Sequence, residues 1–587
     1  MNAADVNGIG ISFEGTWPWL MIQSSMPDEH LIEMWKEEFL GLLKKYRNHP
    51  SLFFWTVNNE MKFYDNDPDT ERAKKKMQLI SEVVKEMRKV DPTRPISFDS
   101  NYRRKGRPER FGSEFMATID DGDIDDVHSY INWYDYNIFR EFNGAFQREK
   151  TPGRPLISQE MSTGYPNNET GHPTRSYQLL HQNPQCLIGY EAYDWCDPAS
   201  FLKIQSFITG ELAEALRRSC DQASGIMHFA LLTWFRSVYD YRKIDPYPTY
   251  YALKRALQPV LVTAELWGRH FYAGEQLPVR ICVVNDREDG SKLQASRMNW
   301  KVQDCNGKIW SSGTELLPEV KHYERHWFTP EIQLPEWLPT EKATMKLVLE
   351  LKENGLTVSA NEYEILLANK SWNRTAVVGK SIAFLGNDQA RASLDAVNIA
   401  YRSAISIEDA LQMKADLCVL GGEIKLSDSE RQLLRNYQAK GGKLLLLQAA
   451  ETAKMLFPEY IVSWVKPSEG EIVSMEIPES PLFDGIEKLE LRNFNNNKCE
   501  NPNACDASLS IVRDPHVTEL ASQVKIHGYI DGTMEARVEK MKKSKGFTLV
   551  KITDGGEALV STMCTDKAVT DPIAGKLLVN MIHDLIK

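Results

Sequence analysis

The sequence predicts a multidomain chain: a parallel α/β barrel unit, then an all-β unit, then a second α/β unit. Three observations predict it. Over residues 1–260 short apolar runs alternate with patterns of apolar residues spaced three and four apart, the signature of a parallel sheet with helices outside it. Over 261–370 the helical pattern is absent and strand-type runs are split by turn residues, as in a β-sandwich. Over 371–587 strand–helix–strand units return, as in a doubly wound, flavodoxin-like sheet. At 587 residues the chain exceeds what one hydrophobic core organises, since domains run to roughly 100–200 residues.

In the first unit, GIGISF (8–13), SLFFWTV (51–57), PISFDS (95–100), DIDDVHSY (123–130), PLISQ (155–159) and GIMHFALLTW (225–234) read as strands. Between them, residues 30–46, 70–90 and 207–219 read as amphipathic helices, the second stopped before Pro92. Six strands are counted where a (β/α)₈ TIM barrel needs eight. In the middle unit, PVLVTAEL, QLPVRICVVN, RMNWKVQDC, KIWSSGTEL and TMKLVLELK supply the strands, and residues 368–380 read as a linker. In the last unit, SIAFLGND, DALQMKADLCVLGG and SDSERQLLRNYQAKGGKLLLLQ form the repeating units, with Ser427 and Glu430 placed for a capping box.

Composition narrows the function classes. The net charge is −11 with no long basic stripe, which argues against a nucleic-acid partner. No run of 18 apolar residues exists, so no membrane-spanning helix is expected. The first 15 residues have neither a basic nor an apolar signal segment. The nine cysteines include no CxxC. Cys499 and Cys505 are close enough in sequence for a local disulfide, and two free thiols are an equal reading. No cluster of metal-type ligands demands an ion, and no redox or nucleotide cofactor is required.

Two glutamates carry the chemistry. Glu60 ends WTVNNE and Glu160 ends PLISQE, each directly after a buried apolar run. Strand ends at the C-terminal face of a parallel barrel open into one shared mouth. Glycoside hydrolysis needs such a pair, one carboxyl protonated for the leaving oxygen and one carboxylate for the anomeric carbon. Burial and mutual repulsion are expected to raise the acid's pKa relative to the nucleophile's. Aromatics make up 10% of the chain, 14 of them Trp, and their flat faces suit sugar rings.

RNHPSLFFWTVNNE (47–60) resembles the acid/base signature of the glycoside hydrolase family 2 barrel, which holds β-galactosidases, β-glucuronidases and β-mannosidases. PLISQE resembles that family's nucleophile strand. VNGIGISFEG, DPTRPI, VHSYINWY and GIMHFALLTWF resemble its third, fifth, sixth and eighth strand regions, so strands 3–8 are present. IDPYPTYYALKRALQPV resembles the barrel exit of its mannosidase-like branches. The resemblance implies a retaining exo-β-glycosidase, most nearly β-galactosidase-like, with Glu60 as acid/base and Glu160 as nucleophile. It implies that Asn59 bonds the sugar 2-hydroxyl, that Tyr130 donates to the nucleophile, and that His128 and Trp133 line the pocket. Trp234 is implied as an aromatic wall and Glu14 as part of the floor. Where the family carries Gly before the acid's Asn, this chain has Asn58.

Measured against that family, the chain starts just before the third strand. This implies an N-terminally truncated or split frame, and a homo-oligomer or partner chain supplying the missing strands. Relatives of this modular type are often periplasmic or extracellular. The last domain resembles the class I glutamine-amidotransferase-like modules that some β-galactosidases append, but Gln448-Ala449-Ala450 stands where the nucleophilic Cys is sought, so a non-catalytic role is expected.

Overall fold

The computed structural model describes residues 1–15, 26, 28–60, 67–128, 151–161, 166–172, 198–219, 223–230, 234–374, 377, 379–466, 473–524 and 545–587. The chain divides into two compact units. The first comprises Met1–Tyr130, Arg140–Ser162 and Ala215–Leu231, and the second Ile131–Phe139, Thr163–Glu214 and Leu232–Lys587.

The first unit is built on six parallel strands: β1 (Ile11–Glu14), β2 (Leu52–Thr56), β3 (Ile96–Ser97), β4 (Asp125–Asp126), β5 (Leu156–Met161) and β6 (Ala223–His228). They pair in chain order, β1 through β3 in one ladder and β4 through β6 in another, with a parallel bridge from Ser97 to Ile124 between them. Among the described residues β1 pairs only with β2 and β6 only with β5. Three strands are shorter than the apolar runs that announce them. β3 keeps only Ile96–Ser97 of residues 95–100, β4 only Asp125–Asp126, and β6 ends at His228. Trp234, expected on that last strand, instead belongs to the second unit. At Gly122 a side chain is excluded twice over: φ is +74°, and a Cβ would lie 2.4 Å from the carbonyl oxygen of Ile96.

Side-chain alternation sorts this unit into an inside and an outside. Trp55, Val57, Ile96 and Phe98 join Trp35, Phe39 and Leu43 of helix Glu29–Tyr46 and Met77, Ile80 and Val84 of helix Thr70–Val90 in one core. Both helices begin with an aspartate cap, Asp28 and Asp69, accepting from backbone N–H groups of the first turn. On the opposite face Phe54, Ile124 and Ile157 form a small apolar plug. Asp67, without exposed side chain, pairs with the equally buried Lys76 at 3.0 Å and with Arg72 at 2.6 Å. A buried carboxylate holds its charge when such partners surround it.

In the second unit a five-stranded sheet and a three-stranded sheet run from Val260 to Ala368. Strand Lys342–Glu353 alternates buried and half-buried residues along its length. Val262 and Val283 of the smaller sheet share one apolar cluster with Trp300, Leu347 and Leu349 of the larger. Strands His270–Tyr272 and Arg325–Phe328 escape the sequence reading because each is short and half polar.

The largest sheet has five parallel strands, ordered Arg402–Ser403, Ile382–Gly386, Leu417–Gly421, Lys443–Leu447 and Gly556–Ser561. An antiparallel extension through Lys545–Asp554, Ser508–Ile511 and Ile461–Val465 follows. Ser427 and Glu430 form the capping box of helix Asp428–Ala439. After Leu447 the chain turns sharply at Gln448, whose φ is +50°, and enters helix Ala450–Leu456. The strained strand-to-helix elbow is therefore built although its residue is not a nucleophile. Gln448 donates to Asp506 at 3.2 Å and accepts from the Asp566 backbone at 3.2 Å. Cys499 and Cys505 are not joined in a disulfide. No helix among the described residues is long and apolar enough to cross a membrane.

Leu445, fully buried on the parallel strand Lys443–Leu447, anchors this last core. Leu445→Ala is expected to cost about 2–5 kcal/mol, lost transfer energy plus the cavity left behind. Urea unfolding followed by circular dichroism measures it, and a cost near zero would mean the sheet is not packed as described.

Candidate active site

The polar half of the first unit starts one layer above the Phe54–Ile124–Ile157 plug. Successive inward positions along parallel strands stack in layers. Above Phe54 comes Thr56, whose hydroxyl donates to Gln159 Oε1 at 3.0 Å, and Ser12 donates to the same oxygen at 2.8 Å. Above Ile124 comes Asp126, and above it His128. Asp126 is fully buried. It accepts from the Gln159 backbone at 2.9 Å, the Asn101 backbone at 2.7 Å, the Ser100 hydroxyl at 3.1 Å and the Gln159 amide at 3.3 Å. A buried carboxylate survives when its lone pairs are filled in this way.

Glu60 is delivered by continued parallel pairing beyond β2. Val57 N donates to Ser97 O, Ser100 N to Asn58 O, and Glu60 N to Ser100 O at 3.1 Å. Glu60 itself takes φ +47°. For a residue with a Cβ that conformation costs on the order of 1 kcal/mol or more, and such strain collects at functional sites. Glu160 lies on β5, which runs on through Met161 rather than stopping at Gln159. The register slips between Ser158 and Met161.

His128 joins the two glutamates. Its Nδ1 lies 2.6 Å from Glu60 Oε1 and 3.2 Å from Glu160 Oε2. Its Nε2 is 2.7 Å from the Ser100 hydroxyl and 3.6 Å from Asp126. One oxygen from each glutamate and one ring nitrogen all lie within 4.8 Å of one another. The His128 side chain is 2% exposed and that of Glu60 is 20%.

Burial disfavours the imidazolium, but hydrogen bonds to Asp126 and Glu60 and the charge of Glu160 outweigh it, and His128 is pushed up to about 10. Burial likewise pushes the Glu160 carboxyl up to about 7. His128 opposes the rise, and Glu60, Glu14 and Asp126 add to it. Glu14, an exposed residue at the end of β1, is also raised to about 7, chiefly by lost hydration of its carboxyl, with Asp126 and Glu60 adding and His128 opposing. The residue expected as nucleophile thus carries a strongly raised carboxyl, because it is largely buried and lies among other acids.

The structure brings Glu14, Glu60, His128 and Glu160 into one electrostatic cluster. Asn59 bridges to Ser100 beside them, with its Oδ1 buried and without a hydrogen-bond partner. Asn58 is fully buried, and neither heteroatom of its amide has a partner. Tyr130 and Trp133 lie outside the described residues. Trp234 belongs to the second unit, where its carbonyl accepts from Tyr247 N. Sequence reasoning missed Asp126, Ser100 and Gln159. The available signal was the spacing Asp126-x-His128, two residues apart and so on one face of a strand.

Glu60, His128 and Glu160 also have the atom spacing of a metal cradle. With Nδ1 held by Glu60 at 2.6 Å, a cation would have to replace the shared proton. His128 is expected to stay charged through neutral pH. Glu160→Gln, which removes a negative neighbour, should lower its titration midpoint. Ring-resonance shifts followed by NMR across pH 5–11 test this, and an unchanged midpoint would contradict the arrangement.

A search of curated proteins gives no match. Solved structures similar to this chain include a β-D-mannosidase from Dictyoglomus thermophilum, at 18% identity and TM-score 0.41, covering 62% of this chain and 44% of that one. An exo-chitosanase of Amycolatopsis orientalis aligns at 14% identity and TM-score 0.38, over 62% and 43%. A β-glucuronidase of Bacteroides uniformis aligns at 14% and 0.30, over 59% and 38%. The chain thus spans less than half the length of these proteins. The model of the glycosyl hydrolases family 2 TIM barrel domain matches residues 5–213, the stretch that contains Glu14, Glu60, His128 and Glu160.

Proposed function

We propose that the chain carries the catalytic and C-terminal parts of a retaining exo-β-glycoside hydrolase, with Glu60 as acid/base and Glu160 as nucleophile. The observation that carries the reading is the approach of one Glu60 oxygen to within 4.8 Å of a Glu160 oxygen. Carboxyl groups about 5–5.5 Å apart suit a double displacement, whereas inversion needs roughly 6.5–9.5 Å to admit a water.

In this reading Glu160 attacks the anomeric carbon while Glu60 hands its proton to the departing oxygen. A glycosyl ester forms on Glu160, and Glu60 then takes a proton from the water that hydrolyses it. His128 holds both carboxyl groups through one ring edge and favours the ionised form of the nucleophile Glu160. Asn59 binds the sugar 2-hydroxyl, Glu14 belongs to the floor, and Tyr130, Trp133 and Trp234 are proposed for the pocket wall. Among the described residues the outer edges of β1 and β6 are unpaired, and further strands would add there, from elsewhere in the protein or from a partner chain.

We carry the domain division 1–260, 261–370 and 371–587 as part of the proposal. The middle domain is read as an immunoglobulin-like sandwich on the strength of its two sheets sharing one core. The last is read as flavodoxin-like because its parallel strands run second, first, third, fourth, fifth in chain order. Gln448 at its elbow supports a non-catalytic role. The proposed substrate is a terminal β-galactoside, from the resemblance of that last domain to modules appended to some β-galactosidases. The barrel exit at 244–260 favours a β-mannoside as the second reading.

The experiment is hydrolysis of aryl β-galactosides, mannosides and glucuronides by the full-length protein. Glu160→Gln should abolish turnover of every leaving group, by at least about a thousandfold. Glu60→Gln should spare good leaving groups and cripple poor ones, since only the latter need the proton. Retention should be visible as a β-anomer in the first product seen by NMR. With Glu160 near 7, kcat/KM should fall as pH drops below about 7. An inverted product, or full activity of Glu160→Gln, would refute the assignment.

A further inference from the structure

The second unit contains a cavity of about 600 Å³, within the roughly 300–1,000 Å³ of small-molecule sites. Helix Pro198–Ser219 contributes residues 203–214 to its wall. Helix Pro248–Ala256, the strands Lys342–Glu353 and Leu356–Ala368, and segment 487–493 supply the rest.

Its buried lining is charged. Arg269 is 7% exposed and Glu211 and Glu214 are each 5%. Charges so placed require partners. The protein itself satisfies most of the acids. Glu214 accepts from Thr263 at 2.6 Å, Asn361 at 2.8 Å and Tyr363 at 2.5 Å. Glu362 pairs with Lys346, Glu364 with Lys203, and Glu490 with Lys342.

The cations are less completely used. Arg269 Nη2 donates to Glu211 at 2.6 Å and its plane lies over Phe207 at 4.9 Å, while its buried Nε reaches no acceptor. A guanidinium donates through a planar fork, and a buried donor without an acceptor is costly. Arg255 lines the same space and enters none of the ion pairs of the described residues.

We propose that this cavity is a second ligand site, for a small molecule bearing a carboxylate or phosphoryl group that bonds Arg269 Nε and pairs with Arg255. A guanidinium N–H bonds either oxyanion strongly, and Arg269 offers its Nε while Nη2 stays with Glu211. The site rests on residues of the second unit alone and does not depend on the roles of Glu60 and Glu160.

Isothermal titration calorimetry on the full chain tests it with three probes: glucuronate, inorganic phosphate and neutral glucose. Saturable binding of one anion, with glucose at least about tenfold weaker, is expected. Tighter glucuronate identifies a carboxylate ligand, and tighter phosphate a phosphoryl ligand. Arg255→Ala should weaken the anion about tenfold or more. Arg269→Lys, which keeps a cation beside Glu211 but removes the fork, should weaken it as well. Binding of neither anion, glucose binding as tightly as the anions, or anion affinity unchanged in both variants would overturn the proposal.

Discussion

A single buried imidazole organises the candidate site. His128 is nearly sealed from water, and around it stand Glu60, Glu160 and Asp126, with Glu14 close enough to feel its charge. Without a cation in their midst these acids would have to be neutral or to separate, since each removes water from the others. With it, one positive charge offsets part of each penalty, and the geometry of the whole group follows from two ring nitrogens pointing in fixed directions. Nδ1 faces the pair proposed for the chemistry. Nε2 faces Ser100 and Asp126, which hold the ring from behind.

That ring is held by backbone as much as by side chains. Asp126 receives two main-chain N–H groups, from Asn101 after β3 and from Gln159 on β5. It therefore ties three neighbouring strands together at the level where the apolar plug gives way to polar groups. Gln159 extends the tie to β2 and β1 through Thr56 and Ser12. Displacing any of these would tilt His128 and change which oxygen of Glu60 or Glu160 it meets. The strained φ of Glu60 belongs to the same scheme: ladder bonds from Val57 to Glu60 fix the backbone, and the carboxylate lands beside the ring.

Much of this was legible in the sequence. Apolar runs ending in Asn-Asn-Glu and Gln-Glu located both carboxylates, because a buried strand can only place its first polar residue at its open end. His128 followed from its strand. The helices Glu29–Tyr46 and Thr70–Val90 followed from spacing and aspartate caps. The polar layer under the site did not follow, because Asp126, Ser100 and Gln159 become partners only when strand register is known. Strand ends were overextended at 95–100 and 225–234, where apolar residues continue after the ladder has stopped. Helix Pro198–Ser219 begins nine residues before the expected 207, its first turns hidden by mixed polarity. The antiparallel strands around Ser508 and Lys545 went unread for the same reason.

The near-complete enclosure of His128 has a consequence for the medium in which the protein works. Mobile counterions weaken attractions that they can surround, over a Debye length of about 8 Å at physiological salt. They cannot surround a ring with 2% of its side chain exposed or a carboxylate with none. Pairs at the periphery, such as Lys292 with Glu319, each about half exposed, fade in brine. The attractions that close around His128 do not, so the ring keeps its charge in fresh and saline surroundings alike.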